Sequence, residues 1–380
     1  MPHKYISKPH YEVLDGLRGV AAMLVVAFHL FETYATNHFT QIINHGYLAV
    51  DFFFVLSGFV IGYAYDDRWD KMTIKDFLLR RVVRLHPMLV AGTLIGGLLF
   101  YFSAGDAFPS VAQTEWWKLL LLVLFCCTIL PIPTGWDCRG WAETNPFSGP
   151  AWSLQFEYIA NLVYAFFYRR CRLWVLVVSV LAFAVLTVLL TMNIDLFGLL
   201  ALRSEQAYTV IGGWSITSDQ IYVGASRLLY PFFAGLLLYR LGIIIRTRHG
   251  YIWASLLIAA LLMMPYVGTE TTQWTNGLYE CLCILILFPL IVSMGAGSNI
   301  SGKASKVCTF IGNLSYPLYI THYPLIYIHV AWAHEYSDLP LATHIAVSVA
   351  VFIISIANAY ACMKLWDAPV RKWLTNRLMK

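Results

Sequence analysis

The sequence is divided into apolar runs of membrane-spanning length, and this repetition limits what the chain can fold into. Runs at about 14 to 36, 47 to 65, 87 to 104, 116 to 133, 151 to 168, 173 to 193, 222 to 241, 251 to 267, 277 to 297, 314 to 334 and 341 to 365 make eleven candidates. In hydrocarbon a spanning segment must satisfy its own backbone hydrogen bonds, so each run reads as a helix. Only 12% of the 380 residues are charged and 59% are hydrophobic, against about 25% charged in soluble domains. The expected fold is therefore all-α, a polytopic membrane helix bundle. No repeat or soluble insertion interrupts the series, so residues 1–380 are expected to form a single transmembrane domain with no fused extracytoplasmic domain. The polar stretch before Leu14 has no small-residue cleavage site, which predicts an uncleaved signal anchor.

Positive charge orients the spans. Arg68, Lys71, Lys75, Arg80, Arg81 and Arg84 fill one connection and Arg169, Arg170 and Arg172 another, so both belong on the cytoplasmic side. An even number of crossings must separate them, yet three candidates lie between. The run at 116 to 133 is the one to demote. It opens on Trp116, Trp117 and Lys118 and closes on Pro131 and Pro133, as a re-entrant or interfacial element of the outer side would. About ten spans remain, with both termini cytoplasmic. Of 26 Lys and Arg, only Lys118, Arg139, Arg203 and Arg227 fall on the outer side or in a span near it. The net charge of +5 thus reflects topology and does not call for a nucleic-acid partner. The eight cysteines show no metal or disulfide spacing and read as small apolar residues. No metal site is expected.

Within this frame a few polar residues stand out. Arg18 and His29 are eleven residues apart in the first span, so they share a helix face at about 16 Å along the axis. Buried charge of this kind faces a polar cavity or a partner, although Arg18 could also snorkel and His29 could be a packing residue. Asp51 and Glu157 enter their spans from the outside and are expected at the depth of His29, where either carboxylate could orient the imidazole. Arg81 and Arg84 are three apart and suit phosphate oxygens. With Arg18 they describe a cationic mouth below a histidine. Ser315, Tyr319 and His322 share a face of a later span and are possible cavity residues. Ser57 has no nucleophile elbow around it and reads as a packing residue beside Gly58. His3, His10, His38, His45, His249 and His334 lie in tails or loops without ligand spacing.

These residues carry a resemblance to the membrane acyltransferase-3 family. LDGLRGVAAMLVVAFH resembles its Arg-x10-His motif at Arg18 and His29, and VDFFFVLSGFVIG the signature that follows. RRVVRLHP resembles its Arg-x-x-Arg motif at Arg81 and Arg84, and WSLQFEY its Trp-Ser-Leu-x-x-Glu motif at Trp152, Ser153 and Glu157. SYPLYITHYP is similar to a late Ser-Tyr helix ending in His322 and Pro324. WDAPVRKW is similar to the closing motif, with Asp367 where Glu is usual.

The resemblance implies a bundle of ten or more helices in a bacterial inner membrane. It also implies transfer of an acyl group, usually acetyl, from cytoplasmic acyl-CoA to a glycan or glycosylated metabolite outside. His29, Asp51 and Glu157 are then the expected catalytic residues and Arg18, Arg81 and Arg84 the donor-binding ones. Trp152, Ser153, Ser315, Tyr319 and His322 would line the cavity. Direct transfer and a covalent acyl-enzyme both stay open, as does the oligomeric state. The alternative is a transporter or flippase for a glycan or lipid-linked precursor.

Overall fold

The computed structural model describes residues 11–379. His3, His10, Lys380 and the polar start of the expected signal anchor lie outside them. Apart from one isolated bridge between Gly105 and Phe108, the described residues have no β structure. The inner and outer walls of the site come from α1 (Glu12–Glu32), α2 (Ala49–Tyr65) and α3 (Ile74–Leu98). An excursion with two short helices follows, α4 (Pro109–Ala112) and α5 (Trp116–Cys126), before α6 (Ala151–Val163), α7 (Leu173–Thr191) and α8 (Ser218–Leu241). The second half holds α9 (Gly250–Met263), α10 (Trp274–Leu282), α11 (Phe288–Ala296), α12 (Gly302–Thr321) and α13 (Tyr323–Glu335). It closes with α14 (Leu341–Cys362) and α15 (Ala368–Leu378). Single π turns extend α6 and join α10 to α11 and α14 to α15.

Six helical stretches among the described residues are long and apolar enough to cross a membrane, fewer than the ten expected. Helix α3 is not among them, although its 25 residues would rise about 37 Å. Its N-terminal half carries Lys75, Asp76, Arg80, Arg81 and Arg84 on the same helix as the apolar run, held from the start by a Thr73 and Asp76 capping box. Helix α5, with 11 residues, rises only about 16 Å and is too short to span, in line with its interfacial reading. The expected single run at 314 to 334 is two helices that meet at His322. Pro324 lacks the backbone N–H that a continuous helix would need there.

Helices α2 and α8 form the centre, with 67% of the apolar stretch of each buried, whereas in α7 (28%) and the α14 to α15 stretch (11%) most of it lies on the outside of the bundle. The central pair approaches backbone to backbone. A Cβ on Gly58 would lie 1.8 Å from the Phe232 carbonyl oxygen, and one on Gly235 would lie 1.9 Å from that of Val55. Small residues drive this kind of contact in lipid, where no hydrophobic effect brings helices together.

Candidate active site

Three neighbouring cavities in the bundle share lining residues. A vestibule of about 710 Å³ lies between α3, α12 and the α14 to α15 stretch, and Arg84 lines both it and a narrow inner cavity of about 110 Å³. Val50 and Tyr319 line both the inner cavity and an outer one of about 550 Å³, which contains His29. By volume the middle cavity is the smallest of the three.

Arg18, Arg81 and Arg84 all line the inner cavity, as the sequence suggests. Arg18 is held on α12, where its Nε donates to Ser315 Oγ at 2.7 Å and its Nη2 to the Gly312 carbonyl at 2.9 Å, and it pairs with Asp15 at 3.1 Å. Arg81 donates to Glu157 Oε1 at 2.5 Å, and Ser57 donates to the same oxygen at 3.0 Å. Ser57 therefore faces the cavity, and the close packing falls to Gly58 beside it. Ser153 and Tyr319 share a hydrogen bond of 2.8 Å at the inner wall. Arg84 makes no hydrogen bond or ion pair among the described residues, and its guanidinium is exposed to the lumen of two cavities.

In the outer cavity the His29 imidazole has a carboxylate partner, but neither of the expected ones. Its Nδ1–H donates to Glu32 Oε2 at 2.8 Å, one helical turn further along α1. The other nitrogen, Nε2, is neither buried nor bonded to any described residue, so its lone pair is open to the cavity. His322 stacks on this ring at 5.5 Å and Tyr323 meets it edge-on at 4.8 Å. His322 is fully buried, its Nδ1 donates to the Leu318 carbonyl at 3.0 Å, and its Nε2 has no partner.

The expected pairing of His29 with Asp51 or Glu157 is not formed. Asp51 is 0% exposed and tied to Arg227, 2% exposed, at 2.7 Å. Arg227 in turn donates to the Tyr47 carbonyl at 2.6 Å and the Gly212 carbonyl at 3.3 Å and lies over Trp152. Asp51 thus braces the outer cavity wall through Arg227. Glu157 lies below the layer of His29, in the inner cavity with the arginines. The reason is the path of the chain: residues 143–150 are buried, so α6 begins already sunk in the protein and its second turn falls deeper than a surface entry would place it.

Other residues of the site escaped the sequence reading. Glu32 had a visible signal, the i,i+3 spacing from His29. Trp141, Trp214, Tyr323 and Glu143 line the outer cavity from segments between or at the ends of helices, where periodicity gives no guide. Glu143 accepts from the Tyr327 hydroxyl, and burial pushes this loop carboxyl up to about 7. Of the four exceptions to the charge rule, Arg139, Arg203 and Arg227 are all buried. Among the described residues no group of three His, Cys, Asp or Glu side chains is arranged to hold a metal ion. The cysteines are all unbridged.

A membrane-embedded bundle with a carboxylate-held histidine above an arginine-lined passage defines an enzyme-like class. Residues 11–363 match the family described as an acyltransferase domain, and the chain belongs to that family. It is 29% identical over 178 residues to the acyltransferase MdmB of Streptomyces mycarofaciens, covering 45% of this chain and 42% of that protein. It is 23% identical over 343 residues to the peptidoglycan O-acetyltransferase OatA of Listeria monocytogenes, covering 84% of this chain and 50% of that protein. The chain thus spans half or less of the length of these two relatives. It is also 32% identical over 160 residues to protein 2 in the picA locus of Rhizobium radiobacter, covering 40% of this chain and 80% of that protein. No solved structure matches the chain.

Proposed function

We propose that the protein is an O-acyltransferase of a bacterial inner membrane, with both termini cytoplasmic. It moves an acyl group, acetyl by its relatives' names, from cytoplasmic acyl-CoA to a hydroxyl of an extracytoplasmic glycan or glycosylated metabolite. The observation that carries this reading is the series of shared cavities. A wide cationic vestibule suits a nucleotide head, a passage of about 110 Å³ suits a thin pantetheine arm with a small acyl group, and a wide aromatic chamber suits a sugar.

Arg18, Arg81 and Arg84 hold the phosphates at the inner mouth, with Glu157 fixing Arg81. The rise from Arg18 to His29, about 16 Å, matches the reach of an extended pantetheine arm. His29 Nε2 takes the proton of the acceptor hydroxyl as its oxygen attacks the thioester carbonyl. The C–S bond breaks, and His29 returns the proton to the departing CoA thiolate. A proton held on Nδ1 by Glu32 leaves Nε2 free to act, as a general base in direct transfer or as the nucleophile in a covalent acyl-histidine route. Trp152, Trp141 and Trp214 line the chamber assigned to the acceptor.

Glu32 acts as a positioning residue, through its hydrogen bond to the imidazole. Glu32→Gln is expected to lower kcat by about 10- to 100-fold with little change in the KM for acyl-CoA. A rise in KM with kcat retained would place Glu32 in donor binding instead. The function itself is tested with donor and acceptor confined to opposite sides of a sealed bilayer. Acyl transfer with release of CoA supports the enzyme, and solute flux without CoA turnover supports a transporter.

A further inference from the structure

The outer cavity is lopsided in charge. Among the described residues that line it, the charged groups beside the His29 imidazole are Arg227 and the carboxylates of Glu32 and Glu143. Arg227 has nothing to give an incoming anion. It is 2% exposed, paired with the fully buried Asp51 at 2.7 Å, and it also donates to the Tyr47 and Gly212 carbonyls. That pair cancels its own charge, and what is left over is acidic.

Glu143 is held in place by the loop before α6. The Asp137 carboxylate accepts from the Gly140 and Ala142 N–H groups at 2.9 and 2.8 Å and coils the loop, and the Thr144 N–H ties it to the Trp214 carbonyl at 2.7 Å. Tyr327 of α13 donates to Glu143 Oε2. Arg139 lies over that tyrosine ring at 3.6 Å, but its donors go to the Pro146 carbonyl at 2.9 Å and to Ser103 Oγ at 2.7 Å, and it forms no ion pair with Glu143.

The other oxygen, Oε1, accepts from no described residue and is not sealed off from the cavity, although Glu143 as a whole is only 5% exposed. Gly149 keeps it open. A Cβ there would lie 3.0 Å from Oε1 and 2.7 Å from the Tyr323 ring. Tyr323 also meets His29 edge-on at 4.8 Å, so a single ring adjoins both the free oxygen and the imidazole. A carboxylate oxygen this deep is costly to leave without a donor.

We propose that Glu143 selects the acceptor: its Oε1 accepts a hydrogen bond from a group beside the hydroxyl that is acylated, and its charge turns away acceptors that carry an acid there. The substrate class is then a neutral or aminated sugar and not a uronic acid or a phosphorylated one. The proposal rests on the transfer reading above and deepens it. A site built to receive a hydrogen bond rejects a ligand that cannot supply one, because its own buried oxygen stays unpaired. Like charges brought together add to that rejection.

The test compares methyl β-D-glucuronamide with methyl β-D-glucuronate, which offer the same ring hydroxyls and differ in an uncharged amide against a carboxylate. Acetyl-CoA and the full chain in nanodiscs are used at pH 8, above the value of about 7 to which burial pushes the Glu143 carboxyl. CoA release gives the rate, and mass spectrometry confirms the sugar ester. Wild type is expected to use the amide with a kcat/KM about tenfold higher, the worth of one such contact. Glu143→Gln keeps an oxygen for Tyr327 and is expected to bring the two acceptors within about twofold, with the KM for acetyl-CoA and the melting curve unchanged. Equal use of both sugars by wild type, which needs no variant to fold, or a preference that survives Glu143→Gln, overturns the selection and leaves the transfer reading standing. Transfer to neither sugar by a protein that still binds acetyl-CoA overturns the acceptor reading of this cavity, and the selection falls with it.

Discussion

His29→Ala is expected to slow acyl transfer by about 100- to 10,000-fold, the contribution of a positioned general base, while CoA binding stays within about twofold of wild type. The separation follows from the layout. Arg18, Arg81 and Arg84 line the cavity on one side of Val50 and Tyr319, and His29 lines the cavity on the other. On the proposed mechanism, removing the imidazole takes away the base without touching the groups assigned to the donor phosphates. His322 does not replace it, since its ring is fully buried and its Nδ1 is committed to the Leu318 carbonyl. Single-turnover rates and equilibrium CoA binding measured on the same preparation check this. A variant that transfers at near wild-type rate would remove His29 from the chemistry.

Asp51→Asn is expected to have the largest effect on stability. Breaking a buried ion pair from one side leaves the other charge uncompensated and costs about 3–5 kcal/mol, and Arg227 is 2% exposed. Its Nη2 and Nη1 also hold the Tyr47 and Gly212 carbonyls, both part of the outer cavity wall. The melting temperature in detergent should fall by roughly 5–10 °C, with activity lost in parallel. Pairing the change with Arg227→Met should recover part of the stability, because the stranded charge is then gone. Unchanged melting in Asp51→Asn would show that Asp51 does not act through Arg227.

What the sequence made legible was local. Arg18 and His29 could be placed on one face because both lie on one uninterrupted helix, and Arg81 and Arg84 because three residues separate them on another. The all-helical fold and the short α5 followed from length, charge and hydrocarbon thickness. Partnerships across the fold were not readable. Asp51 meets Arg227 across 176 positions of sequence, and nothing in the spacing of either announces the other. An arginine inside a span does, however, demand a partner, and Arg227 had been visible as an exception to the charge rule. Glu157 was misplaced in depth because counting from the end of an apolar run assumes entry at the surface, and the buried stretch before α6 breaks that assumption. Glu32 was passed over because it ends its helix, where a carboxylate looks like ordinary interfacial polarity.

The central claim is that the donor binds on the cytoplasmic side and is consumed on the other. Proteoliposomes of known orientation, with labelled acetyl-CoA sealed on one side and a glycan acceptor on the other, test it directly. The account predicts labelled ester on the acceptor and free CoA retained on the donor side, only when the donor faces the Arg84 vestibule. Equal transfer with acetyl-CoA supplied on the His29 side and none in the vestibule would contradict it.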